Sequence, residues 1–124
     1  MSIRLVAGTV AFGILAGCST TYPVIAINER TNERYFGTAT SAASESTFEL
    51  SNASGTTCTG TYKATVVFDY TTGTSTRGKM NCSDGKSGTW VTSGTAYGGQ
   101  GEGRIGKDKI KVYYGQFAAR QQLQ

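Results

Sequence analysis

Residues 80–90 read MNCSDGKSGTW, two strand-like runs on either side of the dipeptide Asp84-Gly85. An Asp-Gly pair between two such runs is a strong hairpin signal, because both residues tolerate the positive φ of a tight turn. A two-residue loop at this dipeptide places Cys82 opposite Ser87. This stretch therefore predicts two antiparallel strands joined by a short turn.

The sequence on both sides of this hairpin repeats the pattern of short alternating runs and turn residues. In residues 46–51, Phe48 and Leu50 alternate with polar neighbours, as in a strand with one buried face. The other predicted strands are 22–27, 35–41, 57–70 (one long bent strand), 102–105 and 109–114 (with Ile110, Val112 and Tyr114 facing the core). Charged residues make up only 16% of the chain, which also holds 17 glycines. The sequence therefore predicts an all-β fold, a small antiparallel meander that closes into a barrel or forms a compact sandwich.

Residues 95–106 are rich in glycine, with Gly99, Gly101 and Gly103 at every second position. The lysine and helix that a phosphate-binding loop requires do not follow. Glycines at alternate positions remove the side chains from one sheet face. This pattern predicts a tightly curved barrel strand, or a face covered by a large aromatic side chain such as Trp90.

The amino terminus has the pattern of an export signal. Arg4 precedes an uncharged run of apolar and small residues that is too short to span a bilayer comfortably. Residues 15–18 then read LAGC, which resembles the lipobox of bacterial lipoproteins. The alternative is an uncleaved anchor helix with an incidental cysteine at position 18.

The lipobox resemblance implies that residues 1–17 are a signal peptide and that Cys18 is the lipidated first residue of the mature protein. The membrane would then be a partner through that lipid, and the protein would lie in the cell envelope. In lipoproteins of two-membrane bacteria, an Asp after the cysteine resembles an inner-membrane retention signal. This chain has Ser19 instead, which favours the outer membrane, facing the periplasm or the cell surface. We expect a lipidated tether at 18–34, a β domain at 35–115, and a short helix or frayed tail at 116–124.

The remaining two cysteines, Cys58 and Cys82, predict one disulfide in an oxidising compartment. Both would point inward from strands that could be neighbours. The bond would close a loop of about 25 residues and stabilise the fold by roughly 3 kcal/mol. A redox or metal-binding pair is the alternative, but the chain has no CxxC spacing and no histidine.

The chain has no histidine, the side chain that most often acts as a general acid or base in catalysis. With no histidine, the Ser-His-Asp and Cys-His arrangements and the usual transition-metal sites are excluded. A two-carboxylate enzyme using Glu102 and a partner is possible in principle, but no spacing supports it. We therefore expect no enzyme activity, no cofactor and no metal.

The net charge of +4 is too mild and too scattered for nucleic-acid binding. The densest basic run, residues 107–111, fits a hairpin tip and the solvent face of a strand better than an anion-binding patch.

Two kinds of binding remain as hypotheses. The first is a lipid-tethered module that binds or inhibits another envelope protein, a glycan or an incoming protein, with Tyr97, Tyr113 and Trp90 as its partner surface. The second is a carrier that holds a small apolar ligand inside a barrel. That hypothesis predicts a cavity lined by Phe48, Leu50, Val66, Phe68 and Ile110.

Overall fold

The computed structural model describes residues 20–42, 46–66 and 73–122. Within these ranges lie eight strands and a short helix: β1 (Thr20–Asn28), β2 (Arg34–Ser41), β3 (Ser46–Ser51), β4 (Thr57–Val66), β5 (Thr74–Cys82), β6 (Ser87–Gly94), β7 (Gly98–Ile105), β8 (Asp108–Gly115) and α1 (Gln116–Gln122). Each strand pairs antiparallel with the next along the chain, and β1 also pairs with β8. The predicted meander is confirmed, and it closes into a barrel.

The meander gives the barrel two different ends. The turns that join β1 to β2, β3 to β4, β5 to β6 and β7 to β8 lie at one end, which we call the closed end. The opposite end, which we call the open end, carries the start of β1 at Thr20 and the end of β8 at Gly115.

Side chains that alternate along each strand fill the barrel. In β5, Thr74, Thr76, Gly78, Met80 and Cys82 are buried, whereas the residues between them are partly or fully exposed. The half of the interior nearer the closed end is packed with apolar side chains, including Leu50, Cys58, Met80, Cys82, Ile105 and Ile110. Each of these six side chains is at most 8% exposed, so this half is a solid core.

Cys58 and Cys82 are directly opposite partners in the register of β4 and β5. Their sulfur atoms are joined in a disulfide between residues 24 positions apart, which confirms the predicted bond. It links two strands of the core and belongs to the structure of the barrel.

The first strand lies within the segment that the sequence assigned to the tether, residues 18–34. β1 begins at Thr20 and closes the barrel by pairing with both β2 and β8. Val24 and Ala26 point into the core, and Pro23 precedes the part of β1 that pairs with β8. A proline has no N–H to donate, so it is tolerated where only one side of the strand is paired. The barrel therefore includes β1, which lies before residue 35.

The Asp84-Gly85 hairpin forms, but its predicted register is wrong by one residue. Ser87 pairs with Asn81, and the Cys82 N–H donates to the Lys86 carbonyl at 2.8 Å. Gly85 has a φ of 90°, as in a three-residue loop that ends on a left-handed residue. A shift of one residue exchanges the two faces of a strand, so the register decides that Trp90 points inward.

The glycine-rich segment forms β7, a strand of the barrel. A Cβ at Gly101 would collide with the Val91 carbonyl oxygen of β6. Only a residue without a side chain allows the two backbones to approach so closely.

Helix α1 packs across the outside of the barrel against β8, β7 and β1. Ala118 on the helix and Ile25 on β1 are both fully buried. Ile25 lies between two residues that face the core, so it points outward. The helix thus covers an apolar outer face where β1 pairs with β8, a junction that we call the seam.

Polar contacts link the turns of the closed end. The Arg30 Nε donates to Asp108 Oδ1 at 2.7 Å, and the buried Asn28 amide donates to Asp108 Oδ2 at 3.0 Å. These two donors, Arg30 first and then Asn28, hold the pKa of the Asp108 carboxyl far below its usual range. Asp108 therefore ties the start of β8 to the turn after β1.

Candidate functional site

A pocket of about 60 Å³ lies inside the barrel toward the open end. We call it the mouth. Its lining includes Tyr22, Ala39, Tyr62, Thr74, Trp90 and Tyr114. They come from six different strands, including β1 and β8, whose pairing closes the barrel, so the pocket depends on that closure.

The floor of the mouth is aromatic. Trp90 is 7% exposed, and its ring lies edge-on to Phe48 with the centroids 5.4 Å apart. The Tyr62 ring is 6.1 Å from the Trp90 ring. These separations are those of interacting aromatic pairs, so the floor is a packed cluster that separates the mouth from the solid core.

One wall of the mouth straddles the β1–β8 seam. Tyr22 on β1 and Tyr114 on β8 meet edge to face, with their ring centroids 6.2 Å apart. The Tyr114 hydroxyl donates to the Thr95 carbonyl at 2.9 Å, which ties this wall to the loop between β6 and β7. The wall is therefore held in place by a hydrogen bond as well as by ring packing.

The opposite wall carries buried threonines. Thr74 and Thr76 on β5 line the mouth. Thr92 on β6 is the direct cross-strand partner of Thr76 but is not part of the lining. Thr74 is 6% exposed and Thr92 is 1% exposed, and the Oγ1 atom of each has no hydrogen-bond partner among the described residues. A buried hydroxyl without a partner costs about 1–3 kcal/mol. The Thr74 hydroxyl therefore offers a hydrogen bond to whatever occupies the mouth.

No Asp, Glu, Lys or Arg side chain of the described residues lines the mouth. A charged group would lose its hydration there without gaining a counter-charge. The chemistry of the lining therefore suits a neutral, mostly apolar group that can exchange a hydrogen bond with a hydroxyl.

The chain matches no protein-family model, no curated protein and no solved structure. In the three described ranges, none of the helical structure is long and apolar enough to cross a membrane. Nor do those ranges bring three or more His, Cys, Asp or Glu side chains together where they could hold a metal ion.

The three aromatic residues predicted to form a partner surface do not lie together. Trp90 faces the interior, so its assignment to such a surface is wrong. Tyr97 lies in the loop between β6 and β7 and is 61% exposed. Tyr113 is half-buried on β8, opposite Ile25 and Gln100. Of the three, only Tyr97 is a prominent surface aromatic. Cys18, the predicted lipidation site, lies outside the described residues.

The cavity predicted for a carrier is in a different place from the mouth. Phe48, Leu50 and Ile110 are at most 4% exposed and belong to the packed core. Phe68 and the side chain of Val66 lie outside what the structure describes. The predicted lining is thus wrong for the three residues that can be placed, because the core near the closed end is filled.

Glu102, the carboxylate considered for an enzyme, lines a groove on the outside of the barrel together with Glu29. Glu102 lies exposed on the outer face of β7, opposite Val91 and Lys111. Glu49 is exposed on β3, four strands away in the barrel order. Neither lines the mouth.

Sequence reasoning missed Tyr22, Thr74 and Thr92. Tyr22 was assigned to the tether, Thr74 was expected in a turn at residues 71–75, and no orientation was predicted for Thr92. The signal was present in residues 74–82, where Thr74, Thr76, Gly78, Met80 and Cys82 occupy one face of an alternating run. Following that face from Cys82 would have placed Thr74 and Thr76 inside.

Proposed function

We propose that this protein is a lipid-anchored, non-catalytic binding protein of the cell envelope, and that its ligand enters the mouth. The anchor is the lipid that the lipobox resemblance implies on Cys18. The barrel begins two residues later, at Thr20. The anchor therefore joins the rim of the open end almost directly.

The main support for a ligand site in the mouth is the state of the Thr74 hydroxyl. Its Oγ1 atom is buried and unpartnered among the described residues, in a pocket otherwise lined largely by rings and small side chains. Buried polar groups in folded proteins are almost always satisfied. A ligand that bonds Thr74 would satisfy it and would also cover the Trp90 floor.

The size of the mouth limits the ligand. A cavity needs roughly 10–15 Å³ of such volume for one water molecule, so about 60 Å³ admits a few heavy atoms. The ligand is either a small neutral molecule or one end of a longer apolar chain. The protein would then still carry an apolar ligand, but in a smaller pocket than the predicted cavity and at a different position in the barrel.

A second candidate function is binding of an envelope protein or glycan at the rim. Tyr97 is the observation that favours it, because an aromatic side chain that is 61% exposed is a common anchor at interfaces. An open apolar groove beside it is lined by Pro23, Ala96 and Ala119. Substituting Tyr97→Ser should abolish crosslinking to a rim-bound partner and leave ligand binding in the mouth intact.

The anchor is tested by replacing the thiol. The precursor and its Cys18→Ser variant are expressed in a two-membrane bacterium, and the membranes are fractionated. We expect the wild-type product in the outer-membrane fraction with the mass of a lipidated chain that starts at Cys18. A wild-type product without lipid mass, or a Cys18→Ser product that still fractionates with the outer membrane, would disprove the anchor.

The mouth is tested with the fluorescence of Trp90, the single tryptophan of the chain. The mature protein is titrated with 1-decanol, a neutral chain with one hydroxyl. We expect a saturable change that is lost in Ala39→Leu, which fills the mouth from the buried face of β2. The matched control is Thr38→Leu, at the exposed neighbouring position.

In that experiment, Thr38→Leu should titrate like the wild type. The proposal fails if the wild type shows no saturable change, or if Ala39→Leu binds as well as Thr38→Leu while both variants keep the circular dichroism of the wild type.

A further inference from the structure

We propose that the barrel stands on an anionic lipid bilayer with its open end down, and that Lys63, Arg77 and Lys79 bind the headgroups. We call these three residues the flank cations. The inference rests on the proposed lipid anchor, and it adds an orientation and a lipid class to that function. The mouth would then face the bilayer.

The anchor fixes one side of the open end. Two residue steps separate Cys18 from Thr20, and an extended chain covers at most about 7 Å in two steps. Thr20 begins β1 at the open-end rim. A lipid on Cys18 therefore holds this side of the rim close to the membrane surface.

The flank cations lie on the opposite side of the barrel. Lys63 on β4 is the direct cross-strand partner of Arg77 on β5, and Lys79 follows two positions along the same outer face. β5 is four strands from β1 in the closed order of eight. The anchor and the cations therefore mark two opposite points of the barrel wall.

The flank cations have no ion-pair partner in the part of the chain that the structure describes. Two like charges directly opposite each other in a sheet destabilise it. The groove around them is about 620 Å³ and is lined by hydroxyl-bearing residues that include Thr61, Ser75 and Thr89. This outer face combines positive charge with hydrogen-bond donors, which is the chemistry that phosphate headgroups bind.

The flank cations also lie close enough to the open end to reach a bilayer surface there. Lys63 and Arg77 are each three residues from the open end of their strand, which is about 10 Å along the strand. Long basic side chains extend toward a nearby lipid surface while their stems stay on the protein. A slight tilt toward β4 and β5 brings Lys79 within reach as well.

Most of the acidic residues that the structure describes lie toward the closed end. Four are in or next to closed-end turns and two are within strands, namely Glu29, Glu33, Asp84, Asp108, Glu49 and Glu102. Glu45 and Asp69 lie outside the described residues. In the part of the chain that the structure describes, Lys63 and Arg77 therefore outnumber the one acidic residue, Glu49, that lies as near to the open end of its strand.

The rim itself suits a lipid interface. Tyr97 is the most exposed large apolar side chain described, and the groove beside it contains Pro23 and Ala119. Tyrosine is enriched where membranes meet water, because its ring is apolar and its hydroxyl is polar. The anchor side of the rim thus offers an apolar contact, and the far side offers charge.

Each cation near an anionic bilayer contributes about 1 kcal/mol of binding free energy, which is roughly a fivefold change in the ratio of two orientations. Removing all three flank cations should therefore reduce the ratio of open-end-down molecules to other orientations by up to roughly 100-fold at low salt. The lipid anchor keeps the variant on the membrane, so orientation and attachment are measured separately.

The test uses the purified lipidated protein in vesicles that contain brominated phospholipids, which quench nearby tryptophan. One probe is Tyr97→Trp at the open end. The other is Ala53→Trp, an exposed residue in the closed-end turn between β3 and β4. The unsubstituted protein gives the background from Trp90. We expect strong quenching at position 97 and little at position 53 when phosphatidylglycerol is present, and weaker quenching at position 97 in pure phosphatidylcholine.

Two matched triple variants decide the role of the flank cations. The combination Lys63→Gln, Arg77→Gln and Lys79→Gln should abolish the difference between the two lipid mixtures. The control combination Lys107→Gln, Lys109→Gln and Lys111→Gln removes the same charge from β8 and its turn, and it should leave the difference unchanged.

The inference is overturned if position 53 is quenched more than position 97, if anionic lipid has no effect, or if the two triple variants behave alike. The mass of the purified protein separates these outcomes from failure of the anchor itself. A chain that carries the lipid but lies in another orientation disproves only the orientation, whereas a chain without lipid disproves the proposed function.

Discussion

Trp90 lies directly opposite Gly78 on the neighbouring strand, and its indole ring covers the glycine so closely that a Cβ there would overlap the ring. The glycine and the tryptophan thus fill one layer of the barrel together. Because Trp90 is also the floor of the mouth, this pair links the core to the candidate site.

Gly78→Ala should destabilise the barrel by about 1–3 kcal/mol, because the new methyl group displaces the indole ring from a packed interior. Chemical denaturation of the mature protein would measure this loss. In a Trp90→Phe background the smaller ring leaves room, so the same substitution should cost clearly less. Equal costs in the two backgrounds would show that the ring does not occupy this position.

Thr74→Val should stabilise the unliganded protein by about 1 kcal/mol, because it replaces an unpartnered buried hydroxyl with a methyl group of similar shape. The same variant should bind 1-decanol more weakly in the Trp90 fluorescence titration. Thr38→Val at the exposed face of β2 is the control, and neither property should change there. A Thr74→Val variant that is less stable than the wild type would mean that the hydroxyl is bonded in solution.

Asp108→Asn should reduce stability at neutral pH and have little effect in strong acid. Hydrogen bonds from Arg30 and then Asn28 lower the pKa of Asp108 in the folded state. A carboxyl with a lowered folded pKa contributes stability that is fully present above its unfolded pKa of about 3.9 and is lost as the pH falls through the folded value. Denaturation midpoints measured from pH 7 down to pH 2 should therefore converge for the variant and the wild type.

Glu102→Gln provides the control for that pH series, since it removes one negative charge from an exposed site on β7. If the denaturation midpoints of Asp108→Asn and the wild type differed by the same amount from pH 7 to pH 2, that result would contradict the role given to the Arg30 contact.

Replacing both Cys58 and Cys82 by Ala should lower the free energy of unfolding by about 3 kcal/mol, the entropy expected for closing a loop of this length in the unfolded chain. Denaturation of the double variant in a Cys18→Ser background measures the bond alone. Dithiothreitol should lower the stability of the parent protein toward that of the double variant. An unchanged midpoint on reduction would mean that the bond does not form in solution.

Local alternation was enough to predict most of the barrel. Residues 46–51 and 109–114 show their buried faces in the sequence, and those faces are confirmed for Phe48, Leu50, Ile110 and Val112. The turn at Gly85 was predicted from its dipeptide, but its loop length was not. Glycine at positive φ serves both two-residue and three-residue loops, so the dipeptide does not define the register.

The mouth was harder to predict because it depends on pairing between distant segments. Tyr22 reaches the pocket only when β1 pairs with β8, almost the whole length of the chain away. Thr74 and Thr92 are polar side chains on inner positions, which contradicts the usual rule for a buried face. Strand closure and one-residue register set these positions, and a single sequence shows neither directly.

The seam between β1 and β8 also has a consequence for biogenesis. A chain that is exported amino end first delivers Val24 long before its partner Tyr114. The last strand must therefore emerge before the barrel can close, and contacts so distant in sequence form slowly. During that interval β1 remains unpaired with β8, so the lipidation and cleavage proposed at Cys18 could take place before the barrel closes.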